Sequence, residues 1–373
     1  MARSGDVVCF DAGTYPTLEI ANRTGTAAGP IVFRTVPGGE LKATFTSGSL
    51  KHGHSVRVDR SEHVHLYDLR LTSSQTGIEV GSSGYARLDG LLVERVGQAA
   101  IKIHRTVAAG DEQRFLGPAA HHCDVVSNTI RDTGRVTPRY GEGIYVGTGG
   151  LQGDDTHDVY VAYNHLDAVR AEAIEIKRHS HDVIVRGNLV TSGSHEFHAA
   201  ITVAVQAKPD SVPNGHYLIE DNRIYNYAST GDSVAGITIG HGDTVVRNNV
   251  VWAIDGGRGI RTTTTFASAS AREVVIEHNT IWTSGAAPSI ALDDGDERTG
   301  ITDHLGHVTV RDNVTSDGAA GSIRGASDDF VGPIEGSADA GQGPGTGFRA
   351  KRYAGLGADL DVVIKRSAGA APR

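Results

Sequence analysis

Apolar and polar residues alternate in short segments along most of the chain, and one four-residue pattern recurs. Each copy begins with isoleucine, has an aliphatic or β-branched residue at its third position, and follows a small residue. Alternation with a period of two residues predicts half-buried β-strands whose first and third side chains point inward. The copies begin at Ile78, Ile101, Ile144, Ile174, Ile201, Ile237, Ile260 and Ile290.

A second motif, of the form VxxNxI, lies between these strands. Asparagines at the same turn of successive repeats can hydrogen-bond to one another and to turn backbone groups. We therefore predict an asparagine ladder, with Asp68 and Gly90 in the equivalent place in earlier repeats. Its members are Asn128, Asn164, Asn188, Asn222, Asn249, Asn279 and Asn313.

Consecutive copies of the strand lie about 23 to 43 residues apart, so the repeat has a constant core and loops of variable length. No segment shows a helical period, and a propeller would need a stricter repeat. The pattern predicts an all-β chain, a single-stranded right-handed parallel β-helix of about ten rungs. Four long excursions are expected to wall one side of one face: Arg105–Ala120, Thr148–His157, Ala204–Gly215 and Thr263–Arg272.

The predicted domain organisation has two parts. Residues 1–320 form the β-helix with its N-terminal capping repeats, and residues 321–373, rich in Gly, Ala and Asp, form a C-terminal cap and tail. The first residues lack the apolar region of a signal peptide and lead directly into a repeat, so a leader is expected to have been removed. An extracellular or periplasmic location and a monomeric state are expected.

Composition and charge narrow the classes of function. The net charge of −9 argues against a nucleic-acid-binding surface, and no apolar run reaches transmembrane length. The 18 histidines are scattered and are interpreted mainly as turn residues. Cys9 and Cys123 lack CxxC spacing, so no zinc site is predicted on them; two buried thiols and one disulfide both remain open.

Aligning the strands turns the sequence into a map of one outer face. Its second-position column includes Glu79, Lys102, Tyr145 and Glu175, and a column two residues before the strands contains Glu142 and Glu172. The middle of the face concentrates acids and bases, whereas the same columns elsewhere contain mostly Thr, Ala and Gly. Charged side chains on adjacent rungs, about 4.8 Å apart, change one another's protonation. The group is interpreted as a functional site, with a solubilising charge ladder as the alternative: Lys102, His104, Glu142, Tyr145, Glu172, Glu175 and Lys177.

An open groove on a parallel sheet suits an extended polymer, and mixed acids and bases favour an acidic polysaccharide built of uronic acids. Eliminative cleavage of such a chain needs a neutralised carboxylate, a base for the C5 proton and an acid for the leaving oxygen. Glu142 and Glu172 could hold Ca²⁺. Lys177 is the candidate base, and Tyr145, His104 and Glu175 complete the candidate catalytic group.

The segments GEGIYVGT (141–148) and AEAIEIKRHS (171–180), followed by VIVRGN, resemble the central rungs of polysaccharide lyase family six. That family comprises alginate lyases and chondroitinase B-like enzymes on a right-handed β-helix. The resemblance implies that Glu172 binds Ca²⁺ and that Lys177 is the Brønsted base. The sequence departs at Arg170, where the family has a second acidic ligand, and in the strand ITVAV, which lacks the family's arginine.

Other basic residues could take the place of that arginine. The candidate substrate-binding residues are Lys102, Arg105, Arg178, His241 and Arg261, with a turn role as the alternative for His241. Two other functions stay open. A glycoside hydrolase or C5-epimerase could use Glu142, Glu172 and Glu175 without a metal, and a non-catalytic solenoid could bind polysaccharide on the same face.

Overall fold

The chain forms β-strands almost throughout the part that the computed structural model describes. That part comprises residues 2–39, 41–108, 111–149, 154–177, 179–195, 199–204, 215–225, 227–229, 235–240, 243–255, 257–262, 273–284, 288–292, 308–315 and 322–324. The chain divides into two compact units, Met1–Val183 and Ile184–Arg373. Most of the tail expected at 321–373 lies outside the described residues.

The first unit consists of short strands and one 3-10 turn at Pro138–Tyr140. The strands are β1 (Val7–Phe10), β2 (Gly13–Tyr15), β3 (Leu18–Ala21), β4 (Ile31–Thr35), β5 (Ala43–Phe45), β6 (His54–Asp59), β7 (Val64–Tyr67), β8 (Arg70–Thr72), β9 (Thr76–Gly81), β10 (Arg87–Asp89), β11 (Leu92–Glu94), β12 (Ile101–His104), β13 (Val107–Ala108), β14 (Asp111–Phe115), β15 (His121–Val126), β16 (Thr129–Arg131), β17 (Ile144–Val146), β18 (His157–Ala162), β19 (His165–Asp167) and β20 (Ile174–Ile176). The strand β21 (His181–Arg186) begins in this unit and ends in the next.

Three parallel sheets organise the first unit, and consecutive strands go to different sheets. Sheet A contains β1, β4, β7, β10, β15 and β18; sheet B contains β2, β5, β8, β11, β16 and β19; sheet C contains β3, β6, β9, β12, β17 and β20. Only β13 and β14 depart from this order in the described part of the unit, since they form an antiparallel hairpin within the excursion Arg105–Ala120. This is the strand order of a parallel β-helix.

The predicted inward positions form the core between the sheets. The isoleucines that begin the recurrent pattern in this unit are completely buried and lie opposite one another in sheet C: Ile78, Ile101, Ile144 and Ile174. A small residue must precede each strand, because a Cβ atom added at Gly77 or Gly143 would lie 2.5 Å from a carbonyl oxygen of the next rung. The alternating pattern of the sequence thus reflects close packing between rungs.

The asparagine ladder is confirmed. In the first unit, Asn128 donates through its side-chain and backbone nitrogens to Asn164 Oδ1, at 2.9 Å each. The assignment of Asp68 and Gly90 to the ladder was wrong by one residue. Both have left-handed backbones, with φ of 57° and 66°, like the residue that precedes each asparagine. Leu91 holds the ladder position, since its backbone N–H donates to Asn128 Oδ1.

The second unit repeats the three-sheet arrangement. Its strands are β22 (Leu189–Val190), β23 (Gly193–His195), β24 (Ile201–Val203), β25 (Tyr217–Glu220), β26 (Arg223–Tyr225), β27 (Tyr227–Ser229), β28 (Ala235–Ile239), β29 (Thr244–Arg247), β30 (Val250–Asp255), β31 (Arg258–Thr262), β32 (Val274–Glu277), β33 (Thr280–Ser284), β34 (Ile290–Leu292), β35 (Val308–Arg311), β36 (Asn313–Thr315) and β37 (Ser322–Arg324). The parallel orders are β25-β29-β32-β35, β22-β26-β30-β33-β36-β37 and β24-β28-β31-β34, and β27 pairs with β23 and β30. The ladder continues here from Asn188 through Asn222, Asn249 and Asn279 to Asn313.

The two cysteines are free thiols, which answers the question that the sequence left open. Cys9 is exposed and Cys123 is buried, and burial raises the pKa of the Cys123 thiol to about 12. Within the described residues, no helix has the length and apolarity that a membrane span requires.

Candidate functional site

Sheet C aligns polar side chains from consecutive rungs in one column. Glu79 lies opposite Lys102, Lys102 opposite Tyr145, and Tyr145 opposite Glu175. This is the register predicted for the second position of the recurrent strand. Because adjacent strands of a sheet are about 4.8 Å apart, the side chains in this column interact directly.

Three carboxylates meet at the end of this column, and we call them the carboxylate cluster: Glu142, Glu172 and Glu175. One oxygen from each lies within 4.8 Å of the others. All three residues are buried, with exposed fractions of 5%, 5% and 4%. Glu142 and Glu172 immediately precede the small residues before β17 and β20, so the close packing of these rungs brings their carboxylates together.

The cluster is electrostatically strained because like charges are buried side by side. Burial raises the pKa of Glu142 to about 7, and Glu172 adds to the effect. Burial and the charge of Glu172 also raise the pKa of Glu175, against the opposing effect of Lys177. A bound cation would relieve the same repulsion that otherwise favours protonation.

Lys177 and Tyr145 lie beside the cluster. The Lys177 ammonium forms an ion pair with Glu175 and lies 5.0 Å from the centroid of the Tyr145 ring, whereas Lys102 Nζ lies 5.5 Å from that centroid. Burial raises the pKa of the Tyr145 phenol, with Glu175 and Glu142 adding to the shift. Tyr145 therefore stays a proton donor at neutral pH.

A second group of polar side chains comprises Glu79, His104 and His54, and its Glu79 lies on the other side of Lys102 from Tyr145 in sheet C. Glu79 lies 3.4 Å from His104 Nε2 and 3.5 Å from His54 Nδ1. Burial would raise the pKa of Glu79, but the nearby imidazole of His104, with His54 and Lys102, lowers it to about 2. His104 lies beside Glu79 of the outward column, but it is only 2% exposed, so it is covered and does not stand on an open surface. The Thr106 side chain packs under the neighbouring Gly81, where a Cβ atom would lie 2.5 Å from Thr106 Oγ1.

The remaining predicted residues fall in different places. Arg105 is held by its own excursion, since its Nε donates to Gly117 O at 2.6 Å and its guanidinium lies 4.6 Å from the Phe115 ring centroid. Arg261 is half-buried in β31, in the second unit. Arg178 and His241 lie outside the described residues.

The donor set of the carboxylate cluster fits a hard cation. Ca²⁺ prefers oxygen ligands at about 2.4 Å, so two ligands on one ion are at most about 4.8 Å apart. The three oxygens meet that limit. Arg170, at the place of the family's second acidic ligand, is exposed, and Glu142 and Glu175 supply the further carboxylates instead.

Sequence reasoning missed two parts of this region. The sequence predicts Glu175 as a catalytic residue, but its carboxylate also completes the cluster; its spacing of three residues from Glu172 could have suggested this. His54 and Glu79 were outside the candidate set, although Glu79 stands in the same column as Lys102. The partner of Glu79 on β6 could be found only from the register of the strands.

Comparisons with known proteins bear on the fold. No protein-family model and no curated protein matches the chain. Among solved structures, the chain is similar to an alginate lyase from Paenibacillus sp. str. FPU-7, with 17% identity and a TM-score of 0.57 over 83% of this chain and 93% of that one. It is also similar to a rhamnogalacturonan lyase, with 9% identity and a TM-score of 0.57 over 96% of this chain and 92% of that one.

A third similar structure is the pectate lyase Pel9A, with 12% identity and a TM-score of 0.50 over 96% of this chain and 82% of that one. At these identities the similarity establishes the fold and not the chemistry. The chain is a right-handed parallel β-helix, which confirms the fold class predicted from the repeats. The number of rungs stays a prediction.

Proposed function

We propose that the protein is a polysaccharide lyase that cleaves uronic-acid linkages by β-elimination. The observation that carries the proposal is the grouping of three buried carboxylates with Lys177 and Tyr145. Elimination needs a neutralised uronate carboxylate, a base and a proton donor. This grouping contains residues for each of the three tasks.

The charge of the site implies that a cation accompanies an acidic substrate. Three carboxylates outnumber the nearby ammonium groups of Lys177 and Lys102, so the bare cluster would repel a uronate. A Ca²⁺ ion held by Glu142, Glu172 and Glu175 would neutralise the substrate carboxylate and make its C5 proton more acidic. The same ion would relieve the repulsion between the three glutamates.

The chain's own residues perform the proton transfers. Lys177 rests as an ammonium against Glu175. It would lose that proton to solvent when a cation on the carboxylate cluster repels it, and Nζ then takes the proton from C5 of the uronate. The Tyr145 hydroxyl, beside Lys177, gives a proton to the departing glycosidic oxygen. Glu175 positions Lys177 through their ion pair. The C4–O bond breaks as the C4–C5 double bond forms, so atoms and charges balance.

The comparisons support this class of reaction, because similar folds are found in lyases named for alginate, rhamnogalacturonan and pectate. A glycoside hydrolase is the second candidate. Inverting hydrolases separate their two carboxyls by about 6.5–9.5 Å, whereas the three carboxylates here lie within 4.8 Å. Only the retaining version, with carboxyls about 5 Å apart, fits the cluster.

A panel of acidic polysaccharides tests the proposal. Alginate, pectate, chondroitin and glucuronan are incubated with the protein and Ca²⁺, and ultraviolet absorbance reports the unsaturated uronate that elimination produces. We expect absorbance to rise on at least one polymer and to stop rising when a chelator is added. Reducing ends released without absorbance would instead establish hydrolysis, and no change on any polymer would refute the proposal.

Two variants separate catalysis from binding. Lys177→Ala should lower the rate about 10²- to 10⁴-fold, the usual contribution of a positioned base, while retention on immobilised polymer changes little. Lys51→Ala removes an exposed lysine and should leave the rate unchanged. Equal rates for wild type and Lys177→Ala would remove Lys177 from the mechanism.

A further inference from the structure

A second group of potential ligands lies in the first unit, at the start of the strands of sheet A. Three successive rungs there begin with adjacent polar residues: His121-His122, His157-Asp158 and His181-Asp182. His121 pairs directly with His157 across β15 and β18. Histidines that are far apart along the sequence thus become neighbours on one edge.

The second residue of each pair has a left-handed backbone, with φ of 50° at His122, 53° at Asp158 and 53° at Asp182. This conformation is uncommon for residues other than glycine, although Asn, Asp and His tolerate it best. With this backbone, the His157 and Asp158 side chains lie 3.8 Å apart at the start of the strand, and His122 lies beside them. The backbone therefore brings His122, His157 and Asp158 together.

Stacking fixes the orientation of the rings. The His157 ring stacks on His121, with centroids 5.7 Å apart, and on His181 at 5.0 Å with an interplanar angle of 2°. The His122 ring stacks on Tyr85 at 4.7 Å. Rings held on a face by a neighbour lose little freedom when a ligand binds, so the group is preorganised.

The distances among the three groups suit a small ion. Asp158 Oδ2 lies 3.6 Å from His122 Nε2 and 3.8 Å from His157 Nε2, and one ligand atom from each residue lies within 4.8 Å of the others. Ligands on a tetrahedral Zn²⁺ at about 2.0–2.1 Å are about 3.3–3.4 Å apart. Movements of a few tenths of an ångström would bring the two edges that end on Asp158 to this length, and the His122–His157 edge, which is within 4.8 Å, would shorten as the rings turn toward the ion.

The second nitrogen of each ligand histidine is already engaged. His157 Nδ1 lies 2.7 Å from the Asp155 carbonyl oxygen; since a carbonyl only accepts, Nδ1 carries the proton and Nε2 has a free lone pair. His122 Nδ1 lies 3.1 Å from His121 Nδ1, and His121 Nε2 lies 3.9 Å from Glu62. Such partners are typical of metal-bound histidines, because they fix the tautomer and the ring orientation.

We propose that His122, His157 and Asp158 bind a divalent transition-metal ion such as Zn²⁺, with a fourth coordination position open to solvent. Two imidazoles and one carboxylate favour a borderline ion over the hard Ca²⁺ suited to the carboxylate cluster. The ion would link the first residues of β15 to those of β18. The site is independent of the lyase proposal, since it shares no residue with the carboxylate cluster.

Cobalt substitution tests the site on the full chain, prepared without a histidine tag and stripped of metal. Co²⁺ in a tetrahedral site absorbs visible light strongly, and added Zn²⁺ displaces it. We expect the wild-type protein to show this band, saturating at about one equivalent, and Zn²⁺ to abolish it. His122→Ala and His157→Ala should each lose the band.

Three further variants make the result decisive. Asp158→Asn keeps the turn and the side-chain volume but removes the charged ligand, so it should weaken Co²⁺ binding even if a histidine variant fails to fold. His278→Ala is the matched control. His278 forms a comparable His–Asp pair, 4.0 Å from Asp312, but it is not part of the proposed site, so this variant should keep the band. Glu172→Gln should also keep it.

Two results would overturn the proposal. A band that persists in both His157→Ala and Asp158→Asn would place the ion elsewhere. A band lost in Glu172→Gln but kept in His157→Ala would assign the ion to the carboxylate cluster. Activity on polysaccharide is not part of this readout, so failure of the lyase proposal leaves the test intact.

Discussion

Neutralising Glu142 should reduce the pH dependence that the carboxylate cluster gives to folding. Glu142 is 5% exposed, and burial, with the charge of Glu172, raises its pKa from 4.5 to about 7. A carboxyl with a raised pKa binds its proton more tightly in the folded state than in the unfolded state. Stability is therefore highest below the unfolded pKa and falls as pH rises through the folded value.

The size of the effect follows from the shift. Each pKa unit corresponds to about 1.36 kcal/mol, so a shift from 4.5 to about 7 costs on the order of 3 kcal/mol once Glu142 is ionised. Glu142→Gln removes this cost. In the presence of a chelator, the variant should gain on the order of 3 kcal/mol relative to wild type between about pH 4.5 and about pH 8.

Urea unfolding is followed by far-ultraviolet circular dichroism at about pH 4.5 and about pH 8, with a chelator present. It measures the difference in the free energy of unfolding between Glu142→Gln and wild type. Glu19→Gln, at an exposed position of β3 in the same unit, is the control and should show little change with pH. Excess Ca²⁺ should stabilise wild type at the higher pH and help Glu142→Gln less. A difference between Glu142→Gln and wild type that is the same at both pH values would refute the reasoning.

Two other predictions concern the fold. Asn249→Ala should destabilise the second unit by about 2–4 kcal/mol, because Asn249 Oδ1 accepts from the backbone and side-chain nitrogens of Asn222 at 3.0 Å each. Tryptophan fluorescence during urea unfolding measures this loss, since both tryptophans lie in that unit. His278→Gly, at φ 54°, is the control, and its free energy of unfolding should stay within about 0.5 kcal/mol of wild type. Equal losses in both variants would contradict a special role for the ladder. A thiol reagent should modify the exposed Cys9 quickly and the buried Cys123 only on unfolding, and fast reaction of two thiols in the native protein would contradict the burial of Cys123.

The rungs can be predicted from the sequence alone. Inward isoleucines at a period of two, a small residue before each strand and the asparagine ladder each depend on contacts between neighbouring copies of one short motif. Because such contacts repeat from rung to rung, aligning the copies of the motif predicts them. The column predicted in this way is confirmed by the strand register: Glu79, Lys102, Tyr145 and Glu175. The error at Asp68 and Gly90 arose because a turn residue and a ladder residue are adjacent in sequence.

How the side chains of different columns meet depends on the packing of the rungs in three dimensions. The sequence assigned Glu142 and Glu172 to one column and Glu175 to another, whereas burial and rung packing bring their oxygens within 4.8 Å. The histidines at 122 and 157 were interpreted as separate turn residues, because the intervening excursion hides their register. Burial, ring stacking and the distances between charged groups depend on residues that are neighbours in space but not in sequence. These properties determine protonation and metal binding, whereas the alternating pattern predicts only where along the sheet the residues lie.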